Sequence, residues 1–450
     1  MHATEAQPSP PVPPAPELRA EAPAGAPSTR GWGVGQRIAF RWAFIYLTLY
    51  GFPFPLDLIP GFDWLHDRLQ AFWESVIPWV GARVLGLDIV DFPFGGTSDT
   101  TFDYVKLLLF AVTAVVVTLV WSVSDRCRGD DSRLHEGFRV YLRYMVATAM
   151  LSYGLAKVFA TQFRFPELRE LLRPMGDASP MGLMWDFMGY STGYSAFTGG
   201  AEVLGGVLLC FRRTTTLGAL VVVGVMSNVV MLNFAFDVSV KMGSSHLLLM
   251  AVFLVVPDVR RLVDFLVLNR PTEPVTLRTP FAAPWMEWGR RTVKCLFLGW
   301  CAVSMTAEKL EHRRLWGEDA PRSELYGIYT VESFEWGGQE VPPMATDATR
   351  WKRVVFEASN NGAIQRMNDA WMRYRVNLRP AEQGLTLSAM ENGHVPMILN
   401  YSRPDAESLV LEGFLGDRSL RVLLVRRDAS ELELVKSRGF RWISETPRNK

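Results

Sequence analysis

The hydrophobic pattern changes character once along the chain. From residue 37 to about residue 310, long apolar runs are separated by polar stretches, and from 324 onward short runs alternate apolar and polar positions. A helix needs about 20 mostly apolar residues to cross the hydrocarbon of a bilayer. Seven segments approach that length: 38–59, 104–123, 140–160, 193–211, 217–236, 242–256 and 293–307. The first is interrupted late by Pro53 and Pro55, the second has the core LLLFAVTAVVVTLVW, and the sixth and seventh are short. The pattern predicts an α-helical polytopic membrane bundle of about seven transmembrane helices.

The later pattern has period two, which predicts strands. LYGIYTVESFEW, KRVVFEA, RYRVNL, LTLSA, MILNY, SLVLEGFL, SLRVLLVRR and ELELV fit it, with turns such as Asn361-Gly362 and Arg403-Pro404-Asp405 between them. About eight antiparallel strands with short turns predict an up-and-down β-barrel, lipocalin-like in architecture, because closure removes exposed edges. A small sandwich is the alternative. The expected plan is a disordered Pro/Ala-rich leader over 1–36, a transmembrane helical domain over 37–310, a linker over 311–323 and a β domain over 324–450. The leader has no apolar stretch of the kind a signal peptide needs, and too little apolar surface to offset the entropy of ordering.

Loop charge orients the helices, since cytoplasmic loops carry excess Lys and Arg. Arg30, Arg37 and Arg41, then Arg126, Arg128, Arg133 and Arg139, then Arg212 and Arg213, then Arg260 through Lys294, all fall on one side. The first loop on the other side is acid-rich, with Asp63, Asp67, Glu74, Asp88, Asp91 and Asp99. The N-terminus is therefore expected in the cytoplasm and the β domain outside it. Loss of the weak seventh helix would reverse the second placement. The acid-rich loop contains DRLQAFWESVIPWVGARVLG, apolar at helical spacing, which reads either as a helix lying on the membrane surface or as one capping the bundle.

Composition narrows the chemistry. Hydrophobic residues are 49% of the chain, charged residues 21%, and the net charge is +1, so no basic face for nucleic acid is expected. The partners expected instead are membrane lipids and a membrane or periplasmic protein. The four cysteines, Cys127, Cys210, Cys295 and Cys301, form no CxxC pair and avoid the β domain, which reads as isolated thiols without a zinc site. No HExxH, P-loop or GxGxxG appears. Gly199-Gly200 and Gly205-Gly206 read as close helix packing. Asp130 and Asp131 read as a solvated loop. Arg350-Trp351-Lys352-Arg353 reads as an amphipathic barrel strand, with contact to lipid headgroups as the alternative.

Ionisable groups at membrane depth are costly and often mark function. Lys157, Glu202 and His246 stand out, accompanied by Asn228, Asn233 and Tyr153. One reading pairs Lys157 with Glu202 and lets the asparagines fix helix packing. The other is an outward-open polar pocket for a small amphipathic molecule, in which His246 exchanges a proton with the ligand, Glu202 orients it, and Tyr153, Asn228 and Asn233 supply hydrogen bonds. Metal ligation is not expected.

Residues 153–265 resemble the DoxX-like family of bacterial membrane proteins. The resemblance is carried by Gly154-Leu-Ala-Lys157, by Gly200-Ala-Glu202-Val-Leu-Gly205-Gly206 and its closing Arg212-Arg213, by the Asn- and Met-bearing fifth helix, and by the His of the sixth. Thr97-Ser98-Asp99-Thr100-Thr101, Leu325-Tyr326-Gly327-Ile328-Tyr329, Arg350-Trp351-Lys352-Arg353 and Arg438-Gly439-Phe440-Arg441-Trp442-Ile443 look like features of larger members that carry a β domain. The resemblance implies a four-helix DoxX-like core, here about 139–265, a bacterial inner-membrane location and a periplasmic β domain. Some DoxX-like proteins are associated with quinone-linked or thiol-linked membrane oxidoreduction; the absence of a cysteine pair outside the membrane speaks against the thiol role here. Two expectations follow: a quinone-binding component of a membrane redox system, with no haem or flavin site evident in the chain itself, or a non-enzymatic lipid binder, carrier or docking scaffold. Whether the chain is an enzyme stays open at this point.

Overall fold

The computed structural model of the chain describes residues 32–89, 99–125, 131–274, 283–391 and 395–439. Its first part is helical: α1 (Val34–Gly51), α2 (Asp63–Val80), α3 (Thr101–Ser124), α4 (Ser132–Val158), the short α5 (Leu168–Leu171), α6 (Pro180–Tyr190), α7 (Thr192–Leu209), α8 (Thr215–Ala235), α9 (Lys241–Val255), α10 (Val259–Leu266) and α11 (Pro284–Trp316). Each of the seven apolar segments falls largely within one helix. Length and apolar composition, however, qualify three described stretches for crossing a membrane: Thr101–Ser124, Arg212–Ala235 and Lys241–Leu266. The count of seven transmembrane helices is not supported. The polar content of the other helices is the reason. α1 carries Arg37 and Arg41, α4 carries Arg133, Arg139, Arg143 and Lys157, α7 dilutes its apolar residues with glycine, and α11 is charged in its first and last turns.

Some of those polar positions are paired inside the bundle. Arg41 is buried and bonds Asp125 at 2.7 Å and Asp131 at 2.9 Å. Asp131 is thus a buried partner and not the solvated residue expected; Asp130 lies outside the described residues. Arg139 and Arg261 both reach Asp258, at 3.6 and 3.1 Å. α4 and α7 meet through glycines. A Cβ on Gly154 would sit 2.7 Å from the Gly199 carbonyl oxygen, and one on Gly199 would sit 2.5 Å from the Gly154 oxygen. Gly205 and Gly206 are similarly closed in by Val222 and Ala147, whereas Gly200 faces open space. The close-packing reading therefore holds for Gly199, Gly205 and Gly206 but not for Gly200.

The C-terminal part is a closed antiparallel barrel. Its strands are β1 (Gly327–Trp336), β2 (Gln339–Glu340), β3 (Trp351–Phe356), β4 (Asn361–Arg366), β5 (Trp371–Arg379), β6 (Gly384–Ala389), β7 (Met397–Ser402), β8 (Ser408–Leu415) and β9 (Arg418–Arg427). β1 pairs with β3 and with β9, and the strands between follow in sequence order, so eight of them close on themselves while two-residue β2 extends one end of β1. Inward positions alternate and are filled by large side chains, among them Tyr329, Phe334, Trp351, Phe356, Leu399 and Leu424. The Trp351 side chain is part of this core. Its neighbours Arg350, Lys352 and Arg353 bond the Val341 carbonyl, Asp369 and Gln365, which fits the barrel-strand reading.

Two strand expectations need correction. ELELV forms a short helix, α12 (Glu433–Lys436), after a 3₁₀ turn, and no strand. Asn361-Gly362, read as a turn, instead opens strand β4, whose sequence is NGAIQR. The turn lies earlier, at Ser359 and Asn360, whose φ of 59° and 58° suit a two-residue hairpin loop. Asp405 does sit in a turn, its carboxylate accepting from the Glu407 and Ser408 backbone at 2.8 and 2.7 Å.

The barrel docks on one end of the bundle. Leu168 of α5 packs against the outer faces of β1 and β3 at Ile328 and Val355. The Arg169 backbone N–H donates to Glu357 at 3.0 Å, and the Tyr190 hydroxyl donates to the Ser437 carbonyl at 2.6 Å. Arg438 stacks over Phe165 at 4.4 Å and pairs with Glu318. α11 begins at the opposite end, where Lys294 lies 4.5 Å over the Phe211 ring, and finishes beside Arg164, which bonds the Trp316 carbonyl. Its 33 residues span roughly 50 Å. The helix occupies half of the expected 311–323 linker. Residues 440–450, including most of the closing Arg438–Ile443 motif, lie outside the described residues, as does the leader up to residue 31.

Candidate functional site

The singled-out polar residues sort into separate clusters. Lys157, in the last turn of α4, donates to both Glu202 oxygens at 2.6 and 2.8 Å. Both side chains are almost fully buried, and the small residues Gly154 and Gly199 bring the two helices close enough for the pair to form. A buried ion pair of this kind ties the two helices together, and removing one partner strands a charge.

His246, in the second turn of α9, belongs elsewhere. Its Nδ1 is 2.8 Å from the Met242 carbonyl and its Nε2 is 2.8 Å from the Tyr46 hydroxyl. A carbonyl only accepts, so Nδ1 carries the hydrogen and Nε2 receives the one from Tyr46. The ring is also stacked on Tyr50, centroids 3.9 Å apart. Both nitrogens and one face are therefore occupied by α1 and α9. Asn233 bonds Ser244 at 3.0 Å, tying α8 to α9. Asn228 and Tyr153 are exposed on the helix surfaces and join neither cluster. Of the six expected residues, the structure joins Lys157 to Glu202 and leaves the rest in local packing.

A cavity lies nearby that sequence reasoning missed. It has a volume of about 500 Å³ and sits between the end of α1, the face of α2 and the first turns of α3 and α9, at the barrel end of the bundle. Tyr50, the stacking partner of His246, forms part of its wall, as do Leu49, Trp73, Leu107 and Phe110. Its polar side chains are Thr48 and Tyr50 on α1, His66 and Gln70 on α2, and Asp103 and Lys106 on α3. This is the profile of a small-molecule site, a concave apolar wall with a few placed polar groups.

Local chemistry holds the frame. Asp99 accepts from the Lys241 and Met242 backbone at 2.6 and 2.9 Å, capping α9. Thr100 caps α3, its hydroxyl donating to Asp103 at 2.6 Å and its backbone N–H at 3.1 Å. The described part of the Thr97–Thr101 motif thus anchors two helix starts beside the cavity. α2 covers the cavity from the side. Ile77 is fully buried, Trp73 packs edge-on against Phe110 at 5.2 Å, and Trp64, Phe72 and Trp79 are exposed on other faces. The packing of Ile77 and Trp73 on α3 is what the capping reading of this segment expects. Among the described residues there is no group of three His, Cys, Asp or Glu placed to hold a metal ion.

No family model matches the chain, and no solved structure matches it significantly. A relative described as the uncharacterized protein YwoB of Bacillus subtilis (strain 168) is 36% identical over 121 residues, 26% of this chain and 75% of the relative. With three quarters of that relative's length covered at this identity, the chain belongs to the family of the Bacillus subtilis protein YwoB.

Proposed function

We propose that the chain is a multi-pass, DoxX-like membrane protein whose bundle holds a small lipophilic molecule in the cavity between α1, α2, α3 and α9, without chemistry on it. The barrel acts as a docking element for a partner protein. The observation that carries this reading is the cavity itself, largely apolar and aromatic with a few polar groups among its lining residues. The barrel interior is filled by its own side chains, which favours docking over carriage within it. A quinone-linked redox role loses support at His246, because both ring nitrogens already have protein partners and neither is left to exchange a proton with a ligand.

The proposed topology has the chain crossing a bacterial inner membrane seven times, N-terminus inside and barrel outside. α11 supports the last crossing, since it runs from the arginine-rich end of the bundle to the barrel end and exposes Trp285, Trp288, Val293, Leu296, Trp300 and Val303 along its length. The polar helices α1, α4 and α7 span within the bundle, where Arg41, Lys157 and Glu202 are paired.

Native mass spectrometry of the full chain, released gently from detergent, tests the reading. A bound amphiphile at near one per chain, lost on filling the cavity with Gly243→Trp, is the expected result. A stoichiometric quinone in its place restores the redox reading, and bare protein after mild extraction refutes the lipophile site.

A further inference from the structure

The charge inside the cavity narrows its ligand. Lys106 stands in the second turn of α3, on the cavity wall and half-buried. Its ammonium lies 5.7 Å from the centre of the Trp73 ring and 6.0 Å from that of Phe110. Among the described residues it enters no ion pair, whereas the cations Arg41 and Lys157, deeper in the bundle, each have a carboxylate within 3 Å. Asp103, three residues earlier on the same cavity wall, reaches Lys106 through its charge but makes no direct ion pair with it, its Oδ2 being held by Thr100 in the α3 cap. Ring faces stabilise a cation only in part, and an ammonium in an apolar wall without a counter-ion is unfavourable. The cavity thus presents one incompletely answered positive charge beside a wall of Leu49, Leu69, Leu107 and Phe110.

We infer that the cavity selects single-chain amphiphiles with an anionic head, the head against Lys106 and the chain along the apolar wall. This rests on the reading of the cavity as a lipophile site and adds to it the charge and chain number of the ligand. A volume of about 500 Å³ accommodates one chain with its head. A fatty-acid carboxylate and the phosphate of a lysophospholipid share this chemistry.

The test uses the full chain in a neutral detergent and follows the fluorescence of cis-parinaric acid and of its methyl ester. The acid is expected to bind at least about tenfold more tightly than the ester at low salt, with the difference shrinking as salt is raised. Lys106→Gln is expected to reduce the difference to less than about threefold, and Lys106→Arg to retain it. Equal binding of acid and ester by the unaltered protein overturns the inference while leaving the lipophile site standing; so does a Lys106→Gln protein that keeps the full difference. Binding of neither probe removes the lipophile reading itself. If Lys106→Gln does not fold, the acid-ester comparison and its salt dependence in the unaltered protein decide alone. Displacement of bound parinarate by oleate or by lysophosphatidate identifies the preferred head as carboxylate or phosphate, and displacement by neither overturns the inference.

Discussion

Glu357 offers a quantitative test of how the barrel is fastened to the bundle. It follows β3, is 6% exposed, and faces Glu167, the residue that opens α5, across the apolar contact of Leu168 with Ile328 and Val355. Burial and the neighbouring Glu167 carboxylate push its pKa from 4.5 up to about 8, against the lowering effect of the Arg169 backbone N–H and guanidinium. The folded protein therefore holds one more proton than the unfolded chain between pH 4.5 and about 8. Stability then falls as pH rises through that window, by at most about 1.4 kcal/mol per pH unit and about 5 kcal/mol in all, and is flat above it. Between pH 6 and pH 8 this single group accounts for up to about 3 kcal/mol, or a drop in Tm of roughly 10 °C for a domain of this size.

Glu357→Gln mimics the protonated acid, keeping a donor toward Glu167 and an acceptor for Arg169. Thermal melts of the full chain, followed by near-ultraviolet circular dichroism of the barrel tryptophans from pH 5 to pH 9, read the difference. The unaltered protein should lose stability toward pH 8 while the Gln variant stays level, and the two should agree within about 1 kcal/mol at pH 5. Parallel curves for the two proteins, or a natural protein that melts higher at pH 8 than at pH 6, would refute the argument.

Three further outcomes are expected. Glu202→Gln or Lys157→Met alone should destabilise the bundle by about 3–5 kcal/mol, and the double replacement Lys157→Met with Glu202→Leu should recover most of it; thermal aggregation in detergent measures this, and a folded single variant that merely loses bound amphiphile would make the pair a ligand site. Gly199→Val should cost about 3 kcal/mol or more, since the added Cβ meets the Gly154 carbonyl at 2.5 Å, while Gly200→Ala should be tolerated within about 1 kcal/mol. In a cysteine-free background, Asp417→Cys at the exposed tip between β8 and β9 should react with a membrane-impermeant maleimide in intact spheroplasts, and labelling only after lysis would put the barrel in the cytoplasm.

The strands and helices were legible where pattern and packing coincide. Period-two runs such as SLRVLLVRR bury every second side chain inside the barrel, and the apolar 107–121 core is a helix that clears the membrane criterion. β4 was hidden because NGAIQR has few apolar residues and buries Gln365, which bonds Arg353 and Asp369 within the barrel wall. ELELV alternates as a strand does, yet the barrel is already closed by β1 and β9, so the segment has no edge to join and turns helical under the docked face. The number of membrane crossings was legible least. Arginines counted as loop charges proved to include Arg41, which is buried in an ion pair, so the same residue type reports topology at one position and packing at another.

The same ambiguity explains why the cavity was not legible in the sequence. Rarity draws attention to Lys157, Glu202 and His246, because a charge or an imidazole at membrane depth is costly. Cost is removed by partners, however, and these three found theirs: a carboxylate for the ammonium, a carbonyl and a hydroxyl for the imidazole. What distinguishes a site is polarity left unanswered, and sequence shows residue types without showing partners. Lys106 had only a faint signal, a single lysine just inside the otherwise apolar run that follows Asp103. It reads as the polar margin of a crossing helix until α2 is seen to fold back over it. α2 turns that margin into the wall of a cavity, and the side-on packing of Trp73 and Ile77 decides how much of the lysine is withdrawn from water. The amphipathic helix outside the bundle and the lysine inside it therefore form one device, and access of a ligand to Lys106 depends on how firmly α2 is held.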